Sequence, residues 1–150
     1  MSFPTQILPA HHKHCDDLFV AAEEAVQRGD WAAAAPACAH LCDQMKAHFA
    51  AEEDLLFPAF EAAAGSSSGP TRVMRMEHEQ MRPLLAQLED ACAAHDGEGY
   101  AGAAETLLIL MQQHNMKEEN ILYPMCDQAL GAEAERLGAK LDALLEKGHA

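Results

Sequence analysis

The stretch His48-Phe-Ala-Ala-Glu52-Glu53-Asp-Leu-Leu-Phe57-Pro58 returns 66 positions later (48 to 114) as His114-Asn-Met-Lys-Glu118-Glu119-Asn-Ile-Leu-Tyr123-Pro124, with no gap. In each copy a histidine and a glutamate stand four apart, so on a helix they share one face. That face is also the apolar one, running from Met45 to Leu56 in the first copy and from Met111 to Leu122 in the second. Ionisable side chains therefore occupy positions that a helix normally turns toward its core.

The same offset extends outward. It pairs His12 with His78, and behind them Cys15 with Met81, Leu18 with Leu84, Phe19 with Leu85, Ala22 with Leu88 and Val26 with Cys92. Setting His11 or His14 against His78 instead breaks either the 36-residue step to the next histidine (12 to 48, 78 to 114) or the apolar correspondence. Turn formers gather at Gly29-Asp30, at residues 65–70 (GSSSGP), at residues 96–99 (DGEG) and around Gly131, cutting the chain into segments of helical length. The fold expected is all-α: an up-down four-helix bundle of two equivalent hairpins about a pseudo-twofold axis, with a short additional C-terminal helix near residues 133–146. One domain is expected to span residues 1–150. Pro36 can bend the second helix, and Pro58 and Pro124 can kink or end theirs. The last helix carries Leu137, Leu141, Leu144 and Leu145 on one face, for packing on the bundle or on a partner.

Composition points the same way. Aromatic residues make up only 5% of the chain and β-branched ones are scarce, which favours helix over sheet. A formal net charge of -14, with no cluster of Lys or Arg to interrupt it, repels phosphate backbones and anionic lipid, so neither nucleic acid nor membrane is an expected partner. The five cysteines, Cys15, Cys38, Cys42, Cys92 and Cys126, are odd in number and lack paired CxxC spacing, which fits a reducing compartment rather than a disulfide scaffold. Residues 1–10 have no basic start followed by an apolar stretch, and no apolar run is long enough to span a bilayer, so a cytoplasmic location is expected.

A carboxylate buried without a partner costs several kcal/mol, and two facing each other cost more. No Lys or Arg lies on the stripes at the level of Glu52 and Glu118, so a cation is the natural compensating charge. His12, His48, His78 and His114, one per long helix, join Glu52 and Glu118 as the candidate metal ligands. Six ligands exceed the needs of one tetrahedral zinc, and the twofold plan argues for two equivalent ions bridged by the two carboxylates. Imidazole and carboxylate without thiolate suit iron, with manganese or zinc as alternatives.

The repeated H-x-x-x-E-E-x-x-L-F-P-like motif, each copy preceded by a lone histidine, resembles the hemerythrin-like (HHE) cation-binding domains over nearly all the chain up to about Met125. The resemblance implies a carboxylate-bridged non-haem di-iron centre with an oxygen bridge, terminal ligands His12, His48, His78 and His114, and bridging Glu52 and Glu118. Oxygen-carrying hemerythrins have a further histidine one turn before the His78 equivalent, where this chain has Met74. The resemblance is thus to four-histidine, two-glutamate members, some linked to repair of iron centres under nitrosative stress. Counting ligands on two six-coordinate irons leaves one open position on each, unless Glu77, Glu79 or His11 fills it.

The function this implies is binding or sensing of O2 or NO. The alternatives are a di-iron enzyme or repair factor acting on peroxide or NO in oxidative or nitrosative stress, and iron storage. A homodimer is compatible with all of them. Plainer roles belong to the neighbours: Glu53 and Glu119 as solvated or outer acceptors, Phe57 and Tyr123 as packing rather than pocket lining or a bond to a bridging group, the methionines as flexible core, and Cys38 and Cys42 as small apolar filling rather than redox partners.

Overall fold

The computed structural model describes residues 2–65 and 69–146. Seven α-helices are found there: α1 Pro4–Gln27, α2 Trp31–Ala51, α3 Phe57–Ala64, α4 Pro70–Ala93, α5 Gly97–Lys117, α6 Tyr123–Leu130 and α7 Glu133–Glu146. Two π-helical turns, Glu52–Leu56 and Glu118–Leu122, join α2 to α3 and α5 to α6 without a break, so the long elements number four and α7 is the fifth. No strand occurs among the described residues.

The hairpin turns obey the repeat down to single residues. Gly29 has φ 69° and its equivalent His95 has φ 53°, the one non-glycine residue in that region among the described residues. Each is followed by an aspartate that caps the next helix: Asp30 accepts from the Ala33 N–H at 3.2 Å and Asp96 from the Gly99 N–H at 2.9 Å. Such caps satisfy one of the four orphan N–H groups of a helix start. Of the turn expected at residues 65–70, residues 66–68 lie outside the described residues.

Pro58 and Pro124 neither end nor sharply interrupt their helices. A proline ring clashes with the carbonyl four residues back, here that of Asp54 or Asn120, and lacks the N–H that would bond to it. The π turn just before each proline absorbs one extra residue: Phe57 N–H bonds to Glu52 O, and Tyr123 N–H to Glu118 O. The helix widens at the blocked carbonyl and continues. In a straight α-helix a residue five places on lies about 140° round the axis; the π turn instead brings Phe57 and Tyr123 onto the faces of Glu52 and Glu118.

α1 pairs with α2 and α4 with α5, and α2 also meets α4 while α1 meets α5. α7 packs on the bundle, against α1, α2 and α6, and seats Leu141 and Leu145 inward while Leu144 stays exposed. Gly138 is required there, because a Cβ would come within 1.4 Å of the Ser2 carbonyl oxygen. Two apolar clusters result. One contains Phe19, Leu41, Met45, Phe49, Leu85, Leu88, Leu107 and Met111, and the other Leu8, Leu56, Phe57, Phe60, Met74, Leu122, Tyr123, Leu141 and Leu145. The layer between them is polar.

Candidate metal centre

The layer between the clusters is made of the six residues picked out by the repeat. His12 comes from α1, His48 from α2, His78 from α4 and His114 from α5, while Glu52 and Glu118 open the two π turns. All six are buried, the two glutamates and His78 completely. Their ligand atoms fall into two sets, His12, His48, Glu52 and Glu118, and Glu52, His78, His114 and Glu118, each with its atoms within 4.8 Å of one another. Both carboxylates belong to both sets.

The imidazoles are oriented from behind. His12 Nδ1–H donates to Glu119 Oε2 at 2.7 Å, His78 Nδ1–H to Glu53 Oε2 at 2.6 Å and His114 Nδ1–H to Glu77 Oε1 at 2.8 Å. Glu53 is held in turn by Arg82 at 2.7 Å, and Glu77 by Lys117. His48 differs: its Nδ1 lies 2.8 Å from Nδ1 of His11, whose Nε2 lies 3.0 Å from Gln44 Oε1. A proton donated by His11 to Gln44 leaves Nδ1 of His11 as the acceptor for the His48 N–H. His11 and Glu77 occupy equivalent places in the repeat (11 and 77), so the same job is done by an imidazole in one half and a carboxylate in the other. In all four histidines Nδ1 is committed outward and Nε2 faces the carboxylates, the arrangement that sets ring orientation and ligand basicity at metal sites.

The Nε2 atoms lie 3.1 Å from the carboxylates for His12–Glu118, 3.1 Å for His78–Glu52, 3.2 Å for His114–Glu118 and 3.5 Å for His48–Glu52. Donors bonded at about 2.1 Å stand about 3.0 Å apart at a right angle and about 3.4 Å apart in a tetrahedron. Three of the four spacings fit the six-coordinate case. His114 Nε2 and Glu118 Oε2, both buried, have no hydrogen-bond partner among the described residues, which is where a cation would supply what the protein does not.

Without a cation, protons balance the charge. Burial works against a proton on His114, but the Glu118, Glu52 and Glu77 carboxylates override it and raise the imidazole to about 9. His12 is raised against burial by Glu118, Glu52 and Glu119. Burial prevails at His48 and lowers it. Glu52, which burial alone would raise, is held well below the usual carboxylate range by His48, Glu118 and His78 around it. A metal must displace the protons of His12 and His114, so loading releases them.

Two residues matter more than their spacing suggested. Tyr123, read as packing, turns its hydroxyl into the polar layer, 2.6 Å from Glu52 Oε2 and 2.9 Å from Glu118 Oε1. Glu77 and His11, both candidates for a coordination position, instead support His114 and His48 from behind. Glu79 points away and pairs with Arg82 at 3.6 Å. Met74 is buried in the apolar cluster beside Phe57. All five cysteines are free thiols and buried. Cys38 lies against Cys42, Cys92 and Tyr100, while Cys15 comes within 3.8 Å of His11 Nδ1. On the core side of the polar layer, His12, Cys15, Met45, His48, Phe49, Met111 and Asn115 line a partly open cavity of about 20 Å³, measured as space for the centre of a water-sized molecule.

A buried set of four imidazoles and two carboxylates in a helical bundle defines a metal-binding protein. The family comparison agrees: the model of the hemerythrin HHE cation-binding domain matches residues 4–126. The chain belongs to that family. Comparison with curated proteins and with solved structures finds no match. No helix among the described residues is long and apolar enough to cross a membrane.

Proposed function

We propose that the chain holds two iron ions bridged by Glu52 and Glu118, one on His12 and His48 and the other on His78 and His114, and binds O2 or NO there. The observation that carries this reading is the pair of ligand sets sharing both carboxylates. The near-right-angle spacings and the lack of thiolate favour iron over zinc. Bound at this place, iron supplies the electrons and the coordination position that a diatomic ligand needs.

The chain's own residues do the rest. Glu119, His11, Glu53 and Glu77 hold the four imidazoles in their ligating orientation. The apolar clusters on either side keep bulk water away, and the cavity is large enough for about one water or a diatomic molecule but not for a bulky substrate. That size favours gas binding over chemistry on a large organic molecule. A reducing, cytoplasmic setting fits five thiols of which none is paired.

The test is anaerobic loading of metal-free protein with ferrous iron, followed by titration with O2 and, separately, NO. Two irons per chain and a saturable change in the optical spectrum with at least one gas are expected. Two irons with no response to either gas would leave storage as the reading, and fewer than two would remove the two-ion centre.

A further inference from the structure

The repeat is broken where Phe57 in one half answers to Tyr123 in the other, and the break lies at the metal centre. We propose that Tyr123 is itself a metal ligand, its phenolate oxygen bound to the ion held by His12 and His48. This rests on the two-ion reading above.

The hydroxyl oxygen lies 2.6 Å from Glu52 Oε2, 2.9 Å from Glu118 Oε1, 3.2 Å from His12 Nε2 and 3.4 Å from His48 Nε2. Those four residues are one complete ligand set. Neighbouring ligands on a six-coordinate ion with bonds of about 2.1 Å stand about 3.0 Å apart, and the four distances bracket that value. Tyr123 is as close to the set as its members are to one another.

Hydrogen bonding accounts for the arrangement while protons occupy the layer, but not once a metal replaces them. A metal requires neutral imidazoles, and with Nδ1 of His12 and His48 committed outward their Nε2 atoms then carry lone pairs. Four acceptors would surround a hydroxyl that owns one hydrogen. The ring is wholly buried and anchored by the π turn, so the oxygen has nowhere else to go. A cation at this point takes all four lone pairs and the phenolate as well. Binding exchanges the O–H bond for an O–metal bond, the proton leaves to solvent as H+, and the oxidation state of the metal does not change. Phe57 offers no oxygen at the equivalent place, so the ion on His78 and His114 has no such ligand. With one position on each ion left by the histidines, carboxylates and an oxygen bridge, Tyr123 takes the one on the first ion and leaves that on the second.

Metal-free protein is loaded anaerobically with ferrous iron and oxidised with ferricyanide, and its visible absorption and resonance Raman spectra are recorded. The wild type is expected to hold two irons and to show a phenolate-to-Fe(III) charge-transfer band with enhanced tyrosinate ring modes. Tyr123→Phe, which copies the residue already tolerated at position 57, should hold two irons and lose band and modes together. Tyr100→Phe, replacing the chain's other tyrosine, should keep both. Proton release on loading should fall by one H+ per chain in Tyr123→Phe. Two irons in the wild type without tyrosinate modes, or modes that survive in Tyr123→Phe, would overturn the assignment. A wild type that takes up no iron would remove the two-ion reading and this proposal with it.

Discussion

Raising the pH from 6.5 to 9 should destabilise the metal-stripped protein, with His114 contributing a defined part of the loss. Its imidazole is raised to about 9 in the folded chain, against an ordinary value of 6.5. A group raised by folding contributes stability that is complete below its unfolded value and lost as the pH climbs through its folded one. The difference, 9 less 6.5, corresponds to about 3 kcal/mol at about 1.4 kcal/mol per unit. His12, raised in the same direction, adds to the slope. His48 does not oppose it in this window, because a lowered group contributes its pH dependence below 6.5. The buried thiols of Cys15 and Cys92, pushed up to about 12 from 9, act in the same direction and chiefly above pH 9. Urea unfolding of protein stripped with a chelator, at pH 6.5, 7.5 and 9, measures the effect as a falling midpoint at constant slope. His114→Gln, which cannot titrate, should make the pH dependence shallower and leave the part due to His12. A wild-type midpoint that is level or rising across the window would refute the reasoning.

Other outcomes follow from the same geometry. Glu53→Ala and Glu77→Ala remove the acceptors behind His78 and His114 and should each weaken metal binding about 10- to 100-fold in a chelator-competition titration; unchanged affinity would show that these carboxylates orient nothing. His11→Glu, which gives His48 the carboxylate that Glu77 gives His114, should tighten binding in the same assay. Gly138→Ala drives a Cβ into the Ser2 carbonyl and should cost about 1–3 kcal/mol by thermal melting, as overpacked contacts do; an unshifted melting temperature would mean that the N-terminal segment is not seated on α7.

The repeat made most of the bundle legible, because a core that must close around two hairpins leaves the same apolar period in both, from Cys15/Met81 to Leu56/Leu122. The six inward polar residues could be read because charge on an apolar stripe stands out. The π turns could not be read, since shifting a backbone hydrogen bond by one residue leaves the side-chain sequence unchanged. Pro58 and Pro124 were the available signal, and they mark where the helix widens rather than where it stops. Tyr123 is readable only as an aromatic one turn beyond Glu118, which more often packs than lines a pocket; the π turn that swings its hydroxyl onto the face of Glu118 leaves no mark in the side-chain sequence. Glu53 and Glu119 did prove to be outer acceptors, but for histidines on other helices. The parts played by Glu77 and His11 depend on contacts between helices, across 37 residues in each case, which no local spacing encodes.

The most direct test of the account is a crystal of the iron-loaded protein examined by anomalous diffraction at the iron edge. Two peaks are predicted between the carboxylates of Glu52 and Glu118, one flanked by His12 and His48 and the other by His78 and His114. A single peak, or iron bound anywhere else on the chain, would contradict it.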